Sequence, residues 1–147
     1  MSTHLERGVA DRGCYLLLLD LARDRRIQVG RLGQFTFKKG TYVYVGSAQR
    51  GLAARIARHL RRRKRLYWHI DYLRPACGRV VGLPIRSSRR EECDVARALA
   101  ALLEPGPAGF GSSDCRCPTH LFRSPTDPLA LPAFHAVLER FRMRPPE

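Results

Sequence analysis

Gly13-Cys14-Tyr15-Leu16-Leu17-Leu18-Leu19-Asp20-Leu21 is the stretch whose reading decides the fold. Its apolar run, bounded by glycine on one side and charge on the other, reads as a buried strand. The charged turn Arg23-Asp24-Arg25-Arg26 ends it, and a second strand, Ile27 to Val29, is expected to pair back on it as a hairpin. Farther out, Gly33 to Ser47 carries Phe35 and Phe37 in alternation, a Lys38-Lys39-Gly40 turn, and then Thr41-Tyr42-Val43-Tyr44-Val45-Gly46. Such β-branched and aromatic enrichment predicts two more strands. The period then changes. Leu52, Ile56 and Leu60 recur at helical spacing, with Arg55 and His59 on an adjacent stripe, and predict an amphipathic helix over Gly51 to Arg63. A short helix over Tyr67 to Arg74 stopped by Pro75, a strand over Arg79 to Ile85, a helix over Ser88 to Leu103 capped by Ser87 or Ser88, an edge strand over Thr119 to Arg123 and a last helix over Pro132 to Arg142 follow. Strands come first and helices later, so the expected class is α+β, a small antiparallel sheet flanked by helices. Residues 1 to 12 are polar and read as a flexible N-terminus before a single domain over 13–147.

Composition limits the partners. The chain has 147 residues and a formal net charge of +14; only Lys38, Lys39 and Lys64 of its 27 cations are lysines, and the rest are arginines. Arginine favours bidentate phosphate contacts, and a surplus of this size predicts a polyanionic partner. The longest apolar run, Cys14 to Leu19, is far short of the roughly 18 residues a membrane span needs, and no leader-like segment opens the chain, so the expected setting is cytoplasmic with no membrane contact. Five cysteines without a disulfide-framework spacing are expected to be reduced.

The chemistry-bearing residues form an ordered set: Gly13 and Tyr15 on the first strand, Tyr44 and Gly46 on a later one, and Arg55 and His59 one helical turn apart. A fixed guanidinium can neutralise charge on a phosphoryl oxygen, and an imidazole can shuttle protons. Together with His69 and the helical Glu92, this order resembles the GIY-YIG endonuclease superfamily. Trp68-His69-Ile70-Asp71-Tyr72-Leu73, Glu92-Cys93 and the Gly109-to-Cys117 stretch look like an archaeal and bacterial branch of it, sometimes fused to endonuclease-III-type glycosylases. The resemblance spans Arg12 to Phe122. It implies hydrolysis of DNA phosphodiester bonds with Mg²⁺ or Mn²⁺ held by Glu92, Arg55 stabilising the phosphorane-like charge, and Tyr15, Tyr44 or His59 activating water. It further implies a role in DNA repair or recombination beside a DNA-repair protein, and a nucleoid location in a bacterial or archaeal cell. Glu91 is a rival for Glu92, but Glu92 shares the helical stripe of Ala96 and Leu99.

Two features depart from the superfamily's pattern: the Ile27 to Lys39 segment lengthens the link between the two Gly/Tyr motifs, and the chain has no Asn where the superfamily often has one late in the fold. Ser112, Ser113 or Asp114 are the candidates for that place, and their loop could bring backbone N–H groups to a phosphate. Arg58, Arg61, Arg62, Arg63 and Lys64 are candidates for tracking a nucleic-acid backbone, whose other reading is a solvated helix end. Cys115-x-Cys117-x₂-His120 with Cys93 suggests a structural Zn²⁺, whose plain alternative is thiols packed as small hydrophobes. The alternative function on the same fold is a non-catalytic DNA- or RNA-binding module.

Overall fold

A computed structural model describes residues 11–143. Strand β1 (Gly13–Leu21) pairs antiparallel with β4 (Gly40–Ala48) on one edge and β5 (Val80–Arg86) on the other. The five-stranded sheet runs β5-β1-β4-β7-β6, with β7 at Leu121–Ser124 and β6 at Glu104–Pro105. Helices α1 (Leu52–Leu60), α2 (His69–Leu73), α3 (Glu92–Ala100) and α4 (Pro132–Arg142) complete the α+β fold.

Both faces of β1 are covered, which is why its sequence is an unbroken apolar run rather than an alternation. Tyr15, Leu17, Leu19 and Leu21 point into a core shared with Tyr42, Tyr44, Leu52, Ile70, Leu73 and Phe110. Cys14, Leu16 and Leu18 point into a second core with Val43, Val45, Val95, Leu99, Phe122, Phe134 and Phe141. The period of two thus sorts one strand between α1 and α2 on one side and α3 and α4 on the other.

Four boundaries differ from the sequence reading, each for a local reason. Ile27–Val29 lies in β2 (Arg25–Val29), which pairs with β3 (Gly33–Phe37) as a separate hairpin, because both edges of β1 are already taken. Helix α1 stops at Leu60 instead of Arg63: Arg61 turns extended, Lys64 Nζ donates to the carbonyls of Arg58, His59 and Arg61, and Arg74 donates to that of Leu60. Cationic donors here satisfy the last carbonyls of the helix. Helix α3 starts at Glu92 rather than Ser88, with Glu91 as its N-cap, since Ser87 Oγ accepts from the Arg89 N–H in a tight local turn that competes with the helix. Strand β7 is one place in from the edge, which is formed by the two-residue β6. At the N-terminus residues 1–10 of the expected flexible segment lie outside the described residues, whereas Asp11 caps α1 by accepting the Ala53 N–H at 2.9 Å.

Phe110, fully buried, is where the loop after β6 enters the first core, edge-on to Phe37 and Tyr44 and tilted against His69, with ring centroids 5.6–6.4 Å apart. Replacing Phe110 by Ala is expected to cost about 3–5 kcal/mol, read as a lower urea midpoint at unchanged m-value.

A polar cleft at the open end of strands β1 and β4

Register brings the two tyrosines together. Tyr15 is opposite Gly46 and Leu17 opposite Tyr44, so Tyr15 and Tyr44 are diagonal neighbours on one sheet face, their rings 6.4 Å apart. A Cβ on Gly46 would overlap the Tyr15 hydroxyl, so the phenol lies where only glycine leaves room. Over this sheet end opens a cleft of about 510 Å³ lined by Tyr15, Tyr44, Gly46, Ser47, Arg55, Trp68, His69, Glu92, Ser113 and Asp114 among others. The structure therefore brings five of the six candidate catalytic residues to one wall-to-wall space, from β1, β4, α1, α2 and α3.

The sixth, His59, is behind the wall. It is buried, and its Nε2 is 2.7 Å from the Tyr15 hydroxyl. Burial, against the opposing pull of Asp71, lowers its pKa to about 4, so the imidazole is neutral at pH 7. Burial also raises the Tyr15 and Tyr44 phenols above their ordinary values, in Tyr15 against the pull of Arg55. The phenol accordingly donates and Nε2 accepts. That leaves the His59 proton on Nδ1, 3.9 Å from Asp71 Oδ1.

Asp71, in the first turn of α2, organises this corner and was not singled out by the sequence reading as a site residue. Fully buried, it accepts both guanidinium nitrogens of Arg58 at 3.0 and 2.9 Å and the backbone N–H groups of Tyr67 and Trp68. Burial pulls its carboxyl up, but these donors outweigh it and hold the pKa below the ordinary range. The signal in the sequence was an acid at the third helical position after Trp68, the usual place for a side chain that caps backwards. Trp68, fixed by this network, has the Arg55 and Arg58 guanidiniums 4.6 and 4.5 Å from its ring. Arg55 donates to the Ser47 carbonyl and pairs with no carboxylate among the described residues, so its charge is available to the cleft.

On the opposite wall, Glu92 Oε1 accepts from Ser47 Oγ at 2.6 Å and Oε2 lies 2.8 Å from His120 Nδ1. Burial raises the Glu92 carboxyl, but His120 and Ser47 together bring it below its ordinary value, so it is ionised. Two of its four lone-pair sites remain for a hard cation, and Asp114 lines the same space. The donor set thus fits one Mg²⁺ or Mn²⁺. Its rival Glu91 is buried and lines an adjoining basin.

The remaining candidates divide. Ser113 is at the cleft, but Ser112 is buried away from it. Several of the loop's N–H groups are already committed: Gly111 donates to His69 Nδ1 at 2.8 Å, Gly109 to Pro118 and Ser112 to Gly109. The Gly111 bond leaves His69 with Nε2–H as its donor, and burial lowers the His69 pKa. Gly111 has φ +69°, and a Cβ there would sit 2.8 Å from the Tyr44 ring, so loop and tyrosine are mutually locked. Of the basic run, Arg58 is spent on Asp71, Lys64 on the end of α1, and Arg62 on the carbonyls of Pro75 and Cys77; Arg61 and Arg63 are exposed. Cys93, Cys115, Cys117 and His120 come together, with donor atoms all within 4.8 Å. No helix among the described residues is long and apolar enough to cross a membrane.

An α+β domain with an Arg, Tyr, His and carboxylate cleft at one sheet end is the class that fold and site define. The chain belongs to the family described as domain of unknown function DUF123, which it matches over residues 14–143. A search of the curated proteins and of the solved structures finds no match.

The His59 shift makes stability pH-dependent. Its folded value near 4 lies below the unfolded value near 6.5, so the unfolded chain binds more protons between them and stability falls as pH is lowered through that window. Urea unfolding between pH 7.5 and 5 should show this loss, on the order of 3 kcal/mol by pH 4, and His59→Gln should flatten it. An equal slope in the variant would contradict the assignment.

Proposed function

We propose that this chain is a divalent-metal-dependent DNA endonuclease of the GIY-YIG kind. The observation that carries the reading is the convergence of Tyr15, Tyr44, Arg55, His69 and Glu92 from five separate elements on one cleft of a chain with net charge +14. Glu92 would hold the Mg²⁺ or Mn²⁺, which when bound would supply Lewis-acid stabilisation and lower the pKa of a water. The chain's own groups do the rest. Arg55, held by Trp68 and the Ser47 carbonyl, pairs with a non-bridging phosphoryl oxygen as negative charge builds. As the water oxygen attacks phosphorus, its proton passes to the Tyr15 oxygen while the Tyr15 proton passes to His59 Nε2. The resulting imidazolium then faces the Asp71 carboxylate, which is why a buried acid behind a buried histidine suits this relay. His69 donates a hydrogen bond from Nε2–H to the departing oxygen, which takes its proton from solvent water. Substrate is DNA, with RNA as the alternative, in repair or recombination beside a DNA-repair protein, and within the nucleoid of a prokaryotic cell.

Incubation with supercoiled, flap, junction and abasic DNA is expected to give cleavage that requires Mg²⁺ or Mn²⁺. Glu92→Ala and Arg55→Ala should each lower the rate by at least about 100-fold while DNA binding persists. Binding without cleavage of any substrate would replace the nuclease with the non-catalytic binding module. Because Arg61 and Arg63 are exposed and, unlike Arg62, are not engaged with backbone carbonyls, changing both to Gln should lower the log–log salt slope of DNA binding by about 1.8. An unchanged slope would return both to solvent.

A further inference from the structure

The region from Gly106 to His120 joins β6 to β7 with no strand or helix of its own, yet it supplies Gly111, Ser113 and Asp114 to the cleft wall. A connection of this length inside a small domain needs something to hold it. Phe110 anchors its first half. Its second half ends in Cys115, Cys117 and His120, which meet Cys93 from the first turn of α3.

The geometry of the four is that of a ligand set. Donors at about 2.0–2.3 Å around a tetrahedral ion stand about 3.5–3.8 Å apart. His120 Nε2 is 3.5 Å from Cys115 Sγ and 4.0 Å from Cys93 Sγ, and all four donor atoms lie within 4.8 Å of one another. Packing alone does not account for the imidazole: His120 is 1% exposed, with one nitrogen turned to the sulfurs and the other 2.8 Å from the Glu92 carboxylate. With Nδ1 beside a carboxylate and Nε2 turned to the thiols, the ring has the two neighbours of a metal-bound histidine that a carboxylate orients. A disulfide would use two of the sulfurs and leave the third and the imidazole unexplained.

We propose that Cys93, Cys115, Cys117 and His120 bind one Zn²⁺, and that the ion, through His120, holds the Glu92 side chain in the position it takes in the cleft. Three thiolates and an imidazole select zinc over the hard ions suited to Glu92, and four protein ligands close the coordination shell, so the zinc is structural. The two cation sites share the His120–Glu92 contact and use opposite ligand chemistry. The positional role for Glu92 rests on the nuclease reading; zinc binding by the four residues does not.

Protein purified under reducing conditions without chelator is expected to contain stoichiometric zinc by elemental analysis. Exchange for Co²⁺ should give thiolate-to-metal charge transfer and tetrahedral ligand-field bands, both weakened in Cys117→Ser. Folded protein that carries no zinc and gives no thiolate–cobalt bands would overturn the site. Because Cys117→Ser can fail to fold, Glu92→Ala is the second variant: it should keep zinc but release it to a competing chelator with about 10- to 100-fold lower affinity. Unchanged affinity would overturn the link to Glu92. Zinc without DNA cleavage defeats the nuclease reading alone, and cleavage by zinc-free protein defeats the zinc proposal alone.

Discussion

Strand β1 is hydrogen-bonded on both edges and covered on both faces, and everything near the cleft is positioned from it. Because Leu17 and Leu19 fill one core while Leu16 and Leu18 fill the other, a slip of one residue against β4 would exchange the two sets and bury neither well. The same register sets Tyr15 over Gly46 and beside Tyr44. The tyrosines are thus held by the hydrophobic pattern of the whole sheet, and their hydroxyls project where that pattern ends.

Charge is used locally as much as for attracting a partner. Arg58 neutralises a buried acid, Lys64 and Arg74 close the end of α1, and Arg62 ties that region to the turn after α2. Arg55 differs from its neighbours because its partners are a carbonyl and the Trp68 ring, neither of which cancels its charge. A buried carboxylate such as Asp71 is tolerable only with its full set of donors, and the loss of one partner would leave an uncompensated charge. That demand fixes Trp68, and through it the guanidinium.

Much of this was legible in the residues. The run from Cys14 to Leu19 marked the central strand, because burial on both faces removes alternation, and helical spacing placed Arg55 and His59 together. The ordered Gly/Tyr, Arg, His and Glu pattern named the residues that meet in the cleft. Where sequence reasoning failed, tertiary contacts had the deciding vote. Ile27–Val29 carries a strand's composition, but composition does not say which edge is free. Arg61 to Arg65 continues a helix's charge pattern, yet Lys64 does more by capping the helix than by extending it. Asp71 had no role assigned from sequence, because its burial beneath Arg58 is a tertiary contact. Cys93 was grouped with Cys115, Cys117 and His120 by residue type alone, and the packing of α3 against the loop before β7 brings the four together.

The central claim is that a divalent cation and a DNA phosphate meet between Arg55 and Glu92. Mn²⁺-induced broadening of backbone amide resonances, recorded with a short DNA duplex bound, tests it most directly. The account predicts the strongest broadening at Gly46, Ser47, Glu92 and Asp114, which line the cleft, and its loss in Glu92→Ala. Broadening centred on acids elsewhere, such as Asp20 and Asp24, or no site-specific broadening at all, would contradict it.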